Sequence, residues 1–358
     1  PVATDSFYVF YNMNDLENVT SYYNTRTGFY ELSNPIIVGN GTDPAGLWMS
    51  NGELVEIEDS KSSTVYSLEI QNAGRLQVGY LQNNTPVAGA YITGINNSQG
   101  EPWTIFESGS EGRLYDARFI ASLNPLQFNV VESATTDVVA DNFSLFQGTD
   151  EGLYFDSTWK NGSITGAATA TEIIRVNAGT YFENVAIINT DGLQTASGDT
   201  TVEAITLRDC TFIGNNNYIT LNSNKTWNII NPVWDATTYT DFTWTTGTAN
   251  YVYDKRSVDV VVQKSDGTKL QNANVIIYEG TTDNLVLELV TDANGVVADA
   301  FTYKLHATNS ATTTYSNHAL RVDNWLYTPF ASAQTSTESF DGTITLIVDN
   351  NIVQTTQA

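Results

Sequence analysis

Strand periodicity from end to end, with helical periodicity almost absent, is the feature that most narrows what this chain can fold into. Apolar and polar residues alternate over Leu54–Glu58, Tyr66–Gln71, Arg75–Leu81 and Gly89–Ile95, and again over Leu126–Val131, Phe143–Phe146, Ile173–Val176 and Tyr218–Leu221. The breaks between these runs carry Gly, Asn, Asp and Ser, as in "NGTDPAG", "NAGR", "QNNTP", "SGSEG" and "QGTDEG". Only Asp15–Tyr23 has modest helical spacing. The expected class is all-β.

Composition agrees and excludes several partners. Charged residues make up only 15% of the 358 residues, so the polar surface is built mostly from Asn, Thr, Ser and Gln, which suit turns and strand faces better than helices. The net charge of -25 repels nucleic-acid phosphates and anionic lipid heads, so no nucleic-acid partner is expected. No run of 18 or more apolar residues is present, so no membrane insertion by a helix is expected. The first residues, "PVATDSFYVFYN", lack the pattern of a signal peptide. The single cysteine, Cys210 in "ITLRDCTFIG", reads as a small buried hydrophobe, and one thiol makes no intrachain disulfide.

The stretch from Gly162 to Asp235 is the most informative. Short β-branched strands alternate with polar turns at the spacing of stacked coils, the logic of a parallel β-helix. Ile173, Val176, Val185, Ile187, Ile205, Leu207, Phe212, Ile219 and Leu221 are its expected inward residues, and Asn at the turns suits left-handed backbone and side-chain ladders between coils. An ordinary antiparallel sandwich is the alternative. From about Tyr251 a separate unit begins. Val258-x-Val260 and Ala273-x-Val275-x-Ile277 flank an Asp-Gly turn and read as a hairpin with one buried face, and a second such device turns at Asp292–Gly295. About six strands give a small antiparallel β-sandwich. Before Gly162, the aromatics Phe7, Tyr8, Phe10, Tyr11, Tyr22, Tyr23, Phe29 and Tyr30 suggest a docking segment or capping layer. Strands from Pro35 onward are either earlier coils or an independent jelly-roll-like domain. The expected organisation is a β-rich region of uncertain type at 1–160, a β-helix-like region at 161–250 and a sandwich at 251–358.

At "EIIRVNAGTYFENVAIINTDG" and "LRDCTFIGNNNYITLNSNKTWNIINPVW" the chain resembles the right-handed β-helix region of tailed-phage spike, fibre and decoration proteins, common in marine viral sequence. The following "VDVVVQKSDGTKLQNANVIIYEG" and "VTDANGVV" resemble carboxypeptidase-regulatory or transthyretin-like sandwich domains. The resemblance covers about residues 160–358. It implies a virion structural role on the particle exterior, homotrimers and contact with other virion proteins, and it transfers no catalytic residue.

The search for chemistry returns no expected catalytic or cofactor-binding residue. His306 and His318, in a Thr/Ser/Asn-rich stretch, have neither a Cys neighbour nor zinc-ligand spacing and read as exposed loop histidines. No G-x-S-x-G elbow and no phosphate-binding loop occur. Glycoside hydrolysis needs two carboxylates, and the sequence clusters are Glu107, Glu111 and Asp116, and Glu53, Glu56, Glu58 and Asp59; among 40 acids, solvated faces account for both. Calcium is the one cofactor considered, at the "TDANG" and "SDGT" turns, which ordinary β-turns also explain. Lys264, Asn350 and Glu279 or Glu288 are candidates for an isopeptide cross-link. Trp103, Trp159, Trp244 and Tyr239 are candidates for a host-surface glycan platform, buried Trp being the alternative. Sequons stand at Asn18, Asn40, Asn83, Asn96, Asn142, Asn161 and Asn224. The expected function is a phage capsid decoration, turret, spike or fibre subunit at the virion surface. The alternatives are a bacterial or archaeal surface-layer or adhesin protein and a polysaccharide depolymerase.

Overall fold

The computed structural model describes residues 9–13, 15, 21–24, 29–32, 36–58, 68–95, 104–121, 128–130, 136–146, 153–166, 173–195, 203–221, 224–235, 242–244, 251–279, 285–308, 312–314, 317–324, 327–335 and 342–347. Among them the regular elements are all strands, and no helix is long and apolar enough to cross a membrane. The chain divides into two compact units, one of residues 1–226 and 232–250, the other of 227–231 and 251–358.

The first unit is a parallel β-helix with three faces. Nine strands, from Ile36–Val38 to Phe242–Trp244, stack in parallel order on the first face. Each coil then passes to a second face (Ala45–Met49, Gly74–Val78, Glu111–Tyr115, Asp137–Asp141) and a third (Leu54–Glu58, Tyr91–Ile95, Arg118–Ala121, Ser144–Phe146). In Thr158–Thr165 and Tyr181–Ile188 one strand serves both faces, its first half pairing on the second and its last half on the third. The alternation seen in sequence is the in/out alternation of these strands. Met49, Val78, Leu114, Ala140, Trp159, Phe182 and Leu207 pair in succession along the second face, all fully buried. Val55, Ile92, Phe119, Leu145, Ile164, Ile187 and Phe212 do the same on the third. Burying such a side chain contributes about 1.5–3 kcal/mol, and every coil adds several. Trp159 follows the small Ala140 in its column and packs edge-on against Phe155 at 4.8 Å and Phe143 at 5.2 Å.

The corner between the second and third faces explains the Asn-rich turns. Asp116, Asn142, Asn161, Asn184 and Asp209 each take φ between 51° and 55°, a left-handed conformation that Asn and Asp tolerate best among residues with a Cβ. Their side chains bridge coils. Asn142 Nδ2 donates to Asp116 Oδ1 at 3.0 Å, Asn161 Nδ2 to Asp141 Oδ1 at 2.8 Å and Asn184 Nδ2 to Asn161 Oδ1 at 2.9 Å. The sequon residues Asn142 and Asn161 are therefore ladder members.

Some expectations are corrected and some open alternatives resolved. The boundary at 160 falls inside the strand Thr158–Thr165, and the coils run unbroken across it. The alternative of earlier coils from Pro35 onward is the one observed. Longer excursions between faces in the first coils hide the period there. Of the early aromatics, Phe7 and Tyr8 lie outside the described residues; the strand Val9–Asn12 pairs with Ala45–Trp48, and Tyr30–Leu32 pairs with Val55–Ile57, a layer on the first coil. Of the weakly helical Asp15–Tyr23, residues 21–23 belong to the strand Ser21–Asn24 and 16–20 lie outside the described residues. Among the inward residues, Ile173 is only half-buried. Ile174 takes its place beside Val176, because residues of one face must share parity along a strand.

The second unit is a two-sheet sandwich with eight strands after residue 250 among the described residues. Tyr251–Gln263 pairs antiparallel with Val296–Thr308 and parallel with Gly342–Ile347. The other sheet runs Leu285–Val290, Asn274–Glu279, Asn317–Asn324, Tyr327–Thr335. The two expected hairpins are instead arches between sheets, since Tyr251–Gln263 and Asn274–Glu279 lie in different sheets, as do Leu285–Val290 and Val296–Thr308. The pattern was right about burial: Val258, Val260, Ala273, Val275 and Ile277 share one core with Val297, Leu320 and Val322. Facing sheets and a hairpin both bury one side of each strand, so alternation alone does not separate them.

Candidate functional site

The carboxylates singled out in sequence are dispersed by the coil geometry. Glu111 lies 3.7 Å from both Arg75 and Arg113, and Arg113 is 2.6 Å from Asp137. Asp116 accepts from Arg118 at 2.7 Å within the corner ladder. The sparse cations thus stand between stacked acids and relieve their repulsion. Glu53 accepts from Ser50 N at 2.7 Å and closes a turn, and burial pushes its pKa up. Glu56 and Glu58 stand at alternate positions of the strand Leu54–Glu58, and Asp59 lies outside the described residues.

Glu107 acquires a partner that the sequence did not suggest. Coil stacking pairs Ile105 with Glu69 and Phe106 with Ile70. Glu107 thereby comes beside Glu69, and its pKa is raised by burial and by that like charge. The two border a polar cleft of about 330 Å³ with Asn40, Gln71, Asn72 and Ser108. In such a fold, lateral neighbours come one coil away and chain neighbours face elsewhere.

The other sequence candidates fall apart. Both histidines are on strands and not in loops: His306 in Val296–Thr308, and His318, buried, in Asn317–Asn324. Thr-rich sequence suits strands as well as loops. Asp266 and Asp292, of the two proposed calcium turns, accept hydrogen bonds from their own turn backbone, from Thr268 N at 2.8 Å and from Asn294 N and Val296 N at 2.8 Å. These bonds lower both pKa values. No group of three or more His, Cys, Asp or Glu that could hold a metal occurs among the described residues. Lys264 opens a turn closed by its N–H to Thr268 O at 2.8 Å, Glu288 is exposed and accepts from Asn274, and Asn350 lies outside the described residues. Of the expected glycan platform, Trp159 is fully buried, its Nε1 donating to Asp156 O at 2.8 Å. Trp103 and Tyr239 lie outside the described residues, and Trp244 is placed only as part of the strand Phe242–Trp244.

An aromatic cleft stands elsewhere, on the second face of the early coils. It measures about 350 Å³ and is walled by Phe10, Trp48, Tyr80 and Tyr115, with Arg75 and Gln77 among its lining. Trp48 projects outward between the buried Leu47 and Met49 and is 39% exposed; Tyr80 is 42% exposed. Phe10 packs closely against the backbone of Gly46, where a Cβ would stand 2.4 Å from its Cδ1 and Cε1. Arg75 sits over the Phe10 ring at 5.8 Å and donates to Gln77 Oε1 at 3.1 Å.

A break in the coil pattern builds one wall. The later coils turn from second to third face through a single left-handed residue, but here a hairpin, Tyr80–Gln82 paired with Thr85–Val87, is inserted at that corner. Asn83 and Asn84, at φ 49° and 63°, make its turn. Gly79, at φ 59°, lets the chain leave the coil: a Cβ there would stand 2.4 Å from Tyr115 O. Insertions in a repeat architecture collect on the face that binds. The sequence signal for the site was the "QNNTP" break together with the outward parity of Trp48.

Comparisons of the chain with models of protein families, with curated proteins and with solved structures find no match.

Proposed function

We propose that this chain is a structural protein of the exterior of a tailed-phage particle, a capsid decoration, turret, spike or fibre subunit, and that its aromatic cleft attaches to host-surface glycan. The observation that carries the reading is a parallel β-helix whose only second-to-third-face hairpin among the described residues erects an exposed aromatic wall beside Trp48. Exposed aromatic faces beside amide and guanidinium donors suit the C–H faces and hydroxyls of sugars. Support for the particle role comes from the order of β-helix and sandwich, and from polar ladders and ion pairs that hold the coils together. On such a particle the chain is a homo-oligomer, a trimer, in contact with other virion proteins. Immunogold labelling of intact particles of the virus that encodes it tests this. Gold on the particle surface is the expected result; label confined to a cell envelope would favour the surface-layer or adhesin reading.

A second reading has its own observation. Glu107, with raised pKa beside Glu69 in a polar cleft, has the make-up of a glycosidase acid with a neighbouring carboxylate. A depolymerase would release reducing sugar from host capsule and lose that activity in Glu107→Gln.

A further inference from the structure

Resting on the saccharide reading of the aromatic cleft, we infer that its ligand is an uncharged saccharide, a neutral pyranose segment, and not a uronate or sialylated one. The cleft is lined by Phe10, Trp48, Tyr80 and Tyr115, of which Trp48 and Tyr80 are the most exposed, so it offers aromatic surface for the apolar faces of pyranose rings. Both terminal nitrogens of its one cationic lining residue already face acceptors. Arg75 Nη1 lies 3.7 Å from the Glu111 carboxylate, Nη2 donates to Gln77 Oε1, and the guanidinium covers the ring of Phe10. A sugar carboxylate entering here would have to compete with Glu111 for that cation. Next along the face, Arg113 is likewise held, by Asp137 at 2.6 Å with a further bond from Nη1 to Asp137 O at 2.9 Å. Local charge beside the cleft is therefore balanced, and the chain as a whole carries -25. Screening over about 8 Å at physiological salt leaves the local balance to decide, and it offers no surplus positive charge to an acidic sugar.

Gln77 adds a specific limit. Its Nε2 donates to Gly79 O at 2.6 Å and its Oε1 accepts from Arg75, so the amide is fixed in orientation. It also pairs along the face with Trp48 on one side and Arg113 on the other. A fixed amide beside an exposed indole reads a hydroxyl at a set height above the ring.

The test is titration of the full-length chain with two sets of defined hexasaccharides. The neutral set is maltohexaose, cellohexaose and laminarihexaose; the anionic set is hexagalacturonate and hexamannuronate. Binding is read by calorimetry at 20 and 150 mM salt, with Trp48→Ala and Tyr80→Ala as variants. Both residues are exposed, and folding of the variants is checked by their unfolding curves. A neutral hexamer is expected to bind, with affinity falling at least about tenfold in Trp48→Ala and little changed by salt. An anionic hexamer that binds more tightly, with the same dependence on Trp48, overturns the neutral class and leaves the saccharide reading standing. Binding by neither set, together with a glycan array on which wild type and Trp48→Ala behave alike, overturns both.

Discussion

Asn184 donates through Nδ2 to Asn161 Oδ1 at 2.9 Å, and both residues hold left-handed backbone at φ 53° and 51°. One residue type meets two demands at this corner: it tolerates the conformation, and its amide both donates and accepts along the stack. The coils are thus tied at the point where their backbone turns from the second face to the third.

Replacing Asn161 by Ala is expected to cost roughly 1–2 kcal/mol, from left-handed strain and the lost ladder bonds. Asn161→Gly removes the same side chain but accepts the backbone, so it is expected to be the less destabilised of the two. Urea unfolding of both variants checks the order; equal losses would mean that the conformation contributes nothing.

Two tryptophans separate core from surface. Trp159→Ala is expected to destabilise by about 3–5 kcal/mol, because the indole is fully buried, edge-on to Phe143 and Phe155 and in register with the buried Phe182. Trp48→Ala is expected to change stability by no more than about 0.5 kcal/mol, since its ring is exposed. Thermal unfolding of the pair measures the contrast.

Lys255 is buried, donates to Asn228 Oδ1 at 2.8 Å and lies 5.5 Å from the ring centre of Tyr253. Burial lowers its pKa to about 8. The unfolded chain, with a lysine near its ordinary value of about 10.4, binds more protons than the folded one between pH 8 and 10. This group's contribution to stability is therefore least favourable below pH 8 and improves as pH rises towards 10. Tyr253, whose pKa burial raises, titrates above that window and acts in the opposite sense. Chemical denaturation from pH 7 to 9.5 should show the rise in wild type and its absence in Lys255→Met.

Cys210 is fully buried, and desolvation pushes its thiol up to about 12. Reaction with a thiol reagent at pH 8 is expected to be negligible in the folded protein and prompt in guanidinium. Rapid labelling without denaturant would mean that the coil around Cys210 opens locally.

The sequence carried the all-β class and most of the core, because alternation records burial directly. Val185, Ile187, Leu207 and Phe212 were legible as inward residues for that reason. It also carried the Asn ladders, since few other residues take the corner conformation. Lateral pairing was less legible. Glu107 meets Glu69 and Glu111 meets Arg75 because coils of unequal length bring them level, and no local pattern encodes that length. Trp159 and Trp48 both sit in strand-like runs, and only parity against buried neighbours tells the inward indole from the outward one.

The proposed display of the chain on a particle, with host attachment through the aromatic cleft, is tested most directly by competition for adsorption. Purified wild-type chain, added in excess to host cells, is expected to block attachment of the parent particles, while Trp48→Ala at the same concentration does not. Attachment unaffected by the wild-type chain, or blocked equally by both proteins, would contradict it.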